Sequence, residues 1–148
     1  MKKVVIANWG GEKQGKSDSV KRVFYLLKDK YASQVFCDRG DIKAIVEING
    51  VKVGIESQGD PGSRLFRSID DFLAEGCDII VCACRSWGKT ATKVASLKEE
   101  GYEVIWTQND RTNAVELHPF LNQLYAEKVV KFIEASIIKG NLIELFFI

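Results

Sequence analysis

The sequence has little of what builds a metal centre or a charged docking surface. It holds one histidine, His118, and its four cysteines, Cys37, Cys77, Cys82 and Cys84, form no C-x-x-C pair. Structural zinc sites need four closely spaced nitrogen and sulfur ligands, so that class is set aside. Cys82 and Cys84 are two residues apart on one predicted strand and point to the same face. The four thiols are read as free, buried cysteines of a reducing compartment. An excess of charge is missing too, since 21 Lys and Arg against 20 Asp and Glu leave a net +1. Nothing electrostatic then favours nucleic acid or an acidic partner. No apolar run reaches the ~20 residues of a membrane span. Met1-Lys2-Lys3 leads straight into a strand, so neither a signal peptide nor a membrane anchor is expected and the location is taken as cytoplasmic. No repeat, low-complexity tract or linker interrupts the 148 residues. They are read as one domain, 1–148, long enough to bury roughly 68–70% of its unfolded surface.

What is present is concentrated near the start. Gly10-Gly11-Glu12-Lys13-Gln14-Gly15-Lys16-Ser17 fits G-x-x-x-x-G-K-[ST] at every fixed position. The apolar run Val4-Val5-Ile6-Ala7 before it reads as a buried strand. Val20, Val23, Phe24, Leu27 and Tyr31 behind it recur at helical spacing. Glycines let the backbone curl so that several N–H groups point into one hollow. The helix that follows, from Lys16 through Asp18, adds its N-terminal N–H groups and the positive end of its dipole. In this motif Lys16 reaches the β- and γ-phosphates of a nucleotide and Ser17 ligates Mg²⁺. Lys16 is expected to be exposed in the loop.

Further along, 33–41 is polar and irregular, reads as a loop, and ends in Arg39-Gly40-Asp41. Such a loop would lie near the phosphates if the chain returns to the sheet. Asn49-Gly50 between two apolar runs, 42–48 and 51–56, is a strong hairpin signal, because a type I′ turn needs positive φ at both central residues. A helix is predicted over 63–75, stopped by Gly76. Cys77-Asp78-Ile79-Ile80-Val81-Cys82-Ala83-Cys84 has the continuous apolarity of a central parallel strand. A helix over 90–100, a strand over 102–106, a loop over 111–119, a long helix over 120–139 capped by Gly140, and an apolar end at 142–148 complete the pattern. Strands alternating with helices predict a mostly parallel sheet with one antiparallel hairpin strand and helices on both faces. Ligands of such sheets bind beyond the carboxyl ends of the strands. Those ends are 9–17, 56–60, 85–89 and 107–110.

On these residues the chain resembles a P-loop NTPase over most of its length, with the three-layer α/β fold of that class. Within it the chain is similar to the small GTPases or to small P-loop kinases. Glu56-Ser57-Gln58-Gly59 stands where the GTPases carry D-x-x-G. The resemblance implies that Glu56 holds Mg²⁺ through water and that the Gly59 N–H contacts the γ-phosphate. Thr107-Gln108-Asn109-Asp110 stands in the place of N-K-x-D, which implies that Asp110 reads guanine; Thr107 and Gln108 depart from that motif. Asp60 follows the glycine where a water-orienting Gln is usual, and Gln58 precedes it.

The expected ligands are therefore Mg²⁺ and ATP or GTP, hydrolysed with Lys16 neutralising charge and Asp60 or Gln58 positioning water. A kinase is the alternative, with its acceptor between Arg39–Asp41 and Asp60–Arg67, and Arg64, Arg67 or Arg85 closing on the phosphate. A regulatory module, in which nucleotide orders 33–41 for a protein partner, is the third reading. Each residue also has a purely structural alternative. Glu56 could be a strand-end carboxylate, Asp110 the start of a turn, Arg64 and Arg67 solvated surface, Trp87 a half-buried packing residue instead of a base platform, and His118 a loop residue.

Overall fold

The computed structural model of the chain describes residues 1–10 and 15–139. The expected contacts of Gly11, Glu12, Lys13 and Gln14, the Gly140 cap and the apolar end at 142–148 lie outside the described residues.

Among the described residues six strands form one sheet: β1 (Val4–Trp9), β2 (Ala32–Cys37), β3 (Lys43–Ile48), β4 (Val51–Glu56), β5 (Ile79–Cys84) and β6 (Glu103–Thr107). Their order is β2-β3-β4-β5-β1-β6. β4, β5, β1 and β6 run parallel to one another. β3 is antiparallel to both β2 and β4, so it alone runs against the rest. The hairpin forms at Asn49-Gly50 as the sequence predicts, with φ of 49° and 80° in a two-residue connection.

Four helices cover the sheet: α1 (Lys16–Lys28), α2 (Leu65–Ala74), α3 (Lys89–Ala95) and α4 (His118–Glu134). The central strands show why both faces need cover. On β5, Ile79, Val81 and Ala83 join the core under α1 and α4, while Ile80, Cys82 and Cys84 join the core under α2 and α3. On β1, Val4 and Ile6 go one way, Val5 and Ala7 the other. Strands buried on both sides in this way read as unbroken apolar runs. The result is a three-layer α/β arrangement with a mostly parallel sheet. Cys82 and Cys84 do share a face, and Cys77, Cys82 and Cys84 are buried and free; Cys37 is free and half-buried.

Three boundaries correct the sequence reading. The segment 33–41 is not all loop: Ala32–Cys37 is an edge strand paired with β3, with a register shift between Val35 and Cys37. Its side chains are mostly exposed, so a backbone ladder holds it and no in-out alternation marks it in the sequence. α4 begins at His118, with Pro119 in its first turn, where a fixed φ and a missing N–H cost nothing. α3 ends at Ala95, and a 3₁₀ turn, Ser96–Glu100, carries the chain to Gly101 at φ 90°.

Candidate functional site

β1 delivers the chain to the carboxyl edge of the sheet, and α1 takes it away. Between them Gly15 is the residue before the helix, at φ 76°, a left-handed conformation that glycine adopts without strain. Its backbone C=O accepts from Ser19 N–H at 2.9 Å. Gly15 has no side chain, so the N-cap residue itself offers no side-chain hydrogen bond to this helix start. The first N–H groups of a helix have no intrahelical acceptor, and with the dipole they attract an anion.

Lys16 overturns one expectation. It is buried, at 7% exposure, rather than out in the loop. Its Nζ donates to the carbonyls of Gly10 at 2.8 Å and Cys84 at 3.2 Å. The ammonium thus ties the ends of β1 and β5 together where both strands leave the sheet. A buried cation needs such acceptors to offset its lost hydration.

Ser17 Oγ donates to Asp41 Oδ1 at 2.6 Å. The same carboxylate oxygen accepts from Ser57 Oγ at 2.8 Å. Ser57 Oγ also accepts from the Ile42 N–H at 2.8 Å, and Ser57 N–H donates to the Ile42 carbonyl at 3.0 Å, clipping the start of β3 to the end of β4. Burial pulls the Asp41 carboxyl up, but the Ser17 and Ser57 hydroxyls, helped by the charges of Lys21 and Arg64, hold it below its ordinary value. The segment that ends in Asp41 thus returns to the start of α1.

Glu56 is placed differently from Asp41. It is completely buried. One oxygen accepts from Arg64 Nε at 2.7 Å and Ser68 Oγ at 2.6 Å. The other accepts from an Arg64 terminal nitrogen at 3.1 Å and the Gln58 N–H at 3.0 Å. β5 lies between β4 and β1, so the Glu56 strand is roughly 10 Å across the sheet from the strand that feeds Lys16. The carboxylate that meets Ser17 is Asp41. Arg64 pairs with Glu56 at the start of α2, whereas Arg67 is exposed.

An open cavity of about 730 Å³ lies over these groups, lined by Lys16, Ser17, Asp18, Asp41 and the loop from Ser57 to Ser63. Gln58 Oε1 accepts from the Arg64 N–H at 3.1 Å. Asp60 is exposed on the rim and accepts from Arg85 Nε at 2.9 Å. Gly59 passes so close to β5 that a Cβ there would meet the Ala83 carbonyl carbon at 2.4 Å. Only glycine allows that approach.

On the other side of Gly15, sequence reasoning missed the residues that organise the site. Asn109 Oδ1 accepts from Asn8 Nδ2 and Ser19 Oγ, both at 2.9 Å, and its Nδ2 donates to Asn122 Oδ1 at 2.9 Å. Asn122 Nδ2 donates to Asp18 Oδ2 at 2.8 Å, which also accepts from Arg22 Nε. β1, β6, α1 and α4 are joined through these amides. A Cβ on Gly15 would be 2.7 Å from Asn122 Oδ1 and 2.9 Å from Asn109 Nδ2. Asn8 Oδ1 is buried and has no hydrogen-bond partner among the described residues. The only sequence signal was the rarity of fully buried Asn, which a linear reading cannot see. Thr107, the departure from the guanine motif, donates to the Ala7 carbonyl at 2.9 Å and meets the Tyr125 hydroxyl at 2.6 Å. Asp110 is exposed and lines a second cavity of about 270 Å³ with Gly15, His118 and Asn122. His118 Nε2 lies 2.8 Å from the Thr112 carbonyl and closes that loop.

The donor set suits Mg²⁺ better than a transition metal. Among the described residues no three His, Cys, Asp or Glu side chains gather to hold a metal. A hydroxyl at Ser17 facing a carboxylate at Asp41 offers the few oxygen contacts that Mg²⁺ takes from a protein when phosphates and water supply the rest. Among the described residues no helix is long and apolar enough to cross a membrane. The chain matches no family model, no curated protein and no solved structure.

Proposed function

We propose that the chain is a P-loop nucleotide-binding protein that takes Mg²⁺ with ATP or GTP and hydrolyses the triphosphate. The observation that carries this reading is the start of α1, with Gly15 left-handed, Lys16 held at its base and Ser17 facing Asp41. In that arrangement the β- and γ-phosphates lie against the first N–H groups of α1. Lys16 exchanges its two carbonyl acceptors for phosphate oxygens, a charge-assisted contact stronger than the one it gives up. Ser17 and Asp41 are the side chains that would hold Mg²⁺, which supplies charge neutralisation on the phosphates when bound. Asp60 on the rim orients water for attack, and Gln58 fixes the loop that carries it. The Gly15–Asn122 side, with Asp110 at its mouth, receives the base.

A kinase reading is favoured by one observation. The cavity continues past the phosphate residues to Pro61, Gly62 and Ser63, which leaves room for a small acceptor. The regulatory reading rests on the Ser17–Asp41 contact, which joins the nucleotide site to the segment 33–41 and could pass occupancy to a protein partner.

Isothermal titration with ATP and GTP, each with and without Mg²⁺, together with phosphate release, tests the proposal. Binding of neither triphosphate would overturn it. Release of phosphate without added acceptor supports hydrolysis. Consumption that rises only when an acceptor is added supports the kinase.

A further inference from the structure

All three tryptophans of the chain line one open cavity of about 460 Å³. Trp9 closes β1, and Trp106 is on β6 beside it. Their rings meet edge to face, with centroids 6.4 Å apart and planes at 88°. Trp87, three residues beyond the end of β5, is 81% exposed, which excludes the half-buried packing role allowed by the sequence. The opposite wall is α3 and its approach, where Gly88, Ala91 and Ala95 are too small to fill the space.

The composition of this cavity points to a class of ligand. A tryptophan can bury 150–250 Å², so three of them around one open space leave a large apolar area in water. An edge-to-face pair also leaves ring surface for a third ring, and π-faces prefer rings to aliphatic groups. None of the described residues lining the cavity is charged, so a phosphate or carboxylate would find no ionic partner among them. Ser86 contributes a hydroxyl, and Thr92, whose hydroxyl donates to the Gly88 carbonyl at 3.0 Å, offers an acceptor oxygen, enough to orient a polar heterocycle. The volume falls in the range of small-molecule sites, and an apolar wall with a few polar groups is their usual make-up.

We propose that the three-tryptophan cavity is a binding site for an uncharged planar heterocycle of the nucleoside class, stacked between Trp87 and the Trp9–Trp106 pair. It is a second site, because none of its lining residues lines the cavity over Lys16 or the one beside Asp110. The proposal does not rest on the P-loop reading.

Tryptophan emission reports on this cavity alone, since the chain has no other indole. Wild-type protein is titrated with adenosine and guanosine, with cyclohexanol as a ring lacking a π-face. One or both nucleosides are expected to quench emission saturably, and cyclohexanol is not. Calorimetric titration with the same nucleoside gives affinities independent of the fluorophores. In that measurement Trp87→Ala is expected to weaken binding at least tenfold. Ala91→Leu, which fills the cavity from α3 and keeps all three tryptophans, is expected to do the same, with the far-ultraviolet circular dichroism unchanged. Glu103→Gln, exposed at the opposite end of β6, is expected to leave the affinity within twofold. Absence of a saturable change with either nucleoside overturns the proposal. So does equal quenching by cyclohexanol, or nucleoside affinity that ignores both cavity variants. Titration with Mg²⁺ and inorganic tripolyphosphate tests the phosphate site separately, so either reading can fail alone.

Discussion

Asp41 Oδ1 and Ser17 Oγ are 2.6 Å apart although 24 residues separate them in the chain. That single hydrogen bond joins the start of α1 to the loop before β3. It also singles out a different carboxylate from the one that motif spacing suggests. Substituting each acid in turn separates the two. Asp41→Asn is expected to weaken Mg²⁺–nucleotide binding at least tenfold while changing metal-free nucleotide binding by less than threefold. Glu56→Gln is expected to weaken both alike, through the fold. Calorimetric titrations of the two variants, with Mg²⁺ and with chelator, decide between them. The reverse pattern would return the metal role to Glu56.

The same aspartate sets a pH dependence. Its folded-state carboxyl is held below its ordinary value. The charged form is therefore favoured by folding, and its contribution is complete above the unfolded value of about 3.9. It is lost as pH falls through the folded value. Urea midpoints from about pH 6 down to about pH 3 should fall more steeply in wild type than in Asp41→Asn, which has no carboxyl to protonate. Parallel curves would show that Asp41 is not held in its charged form.

Lys16 carries structure as well as charge. Lys16→Ala is expected to abolish measurable triphosphate binding and also to cost about 1–3 kcal/mol of stability, because the Gly10 carbonyl loses the ammonium and the Cys84 carbonyl is left with the Gly10 N–H. Chemical denaturation gives the second quantity independently of the first. Unchanged triphosphate affinity would remove the phosphate-site reading altogether.

The Glu56–Arg64 pair belongs to the core side of the site. Arg64→Met leaves a completely buried carboxylate with only Ser68 and the Gln58 N–H. Breaking a buried pair from one side costs roughly 3–5 kcal/mol. The double variant Glu56→Gln with Arg64→Met is expected to recover much of the loss, since the orphaned charge is gone. A double variant as unstable as the sum of the two singles would show that the residues do not act as a pair.

Base choice can be read at Asp110. A carboxylate there would accept from N1–H and the exocyclic amine of guanine, a pattern that adenine lacks, and the wrong partner would leave it unpaired. Direct competition between GTP and ATP is expected to favour GTP in wild type and to lose that preference in Asp110→Ala. A preference for ATP, or a GTP preference that survives the substitution, would assign base reading elsewhere, with Asn122 and His118 among the other side chains lining the same cavity.

Much of the architecture was legible because it depends on local pattern. β5 reads as an unbroken apolar run, Asn49-Gly50 demands its turn, and the α1 stripe has the helical period. The edge strand β2 was illegible because its ladder to β3 is a backbone property, and its exposed side chains carry no alternation. At the site, Gly15, Lys16 and Ser17 were found by motif and occur at the helix start, but the burial of Lys16 could not be read from a loop sequence. Asp41 was anticipated only through the suggestion that its loop returns to the sheet. Asn8, Asn109 and Asn122 are spread over more than a hundred residues. Only the packing of α4 against α1 brings their amides under Gly15.

Enclosure of the sheet also sorts the thiols by reactivity. Burial raises the Cys77 thiol to about 12 and the Cys84 thiol to about 11, and it raises Cys82 well above its ordinary value. At neutral pH these three are almost wholly protonated, and it is the thiolate that attacks an alkylating reagent. Cys37, half-buried on the edge strand, remains open to a maleimide or nitroxide label without any cysteine being removed. A spectroscopic probe attached there would report on the segment that ends in Asp41, and would follow that loop as phosphate ligands come and go.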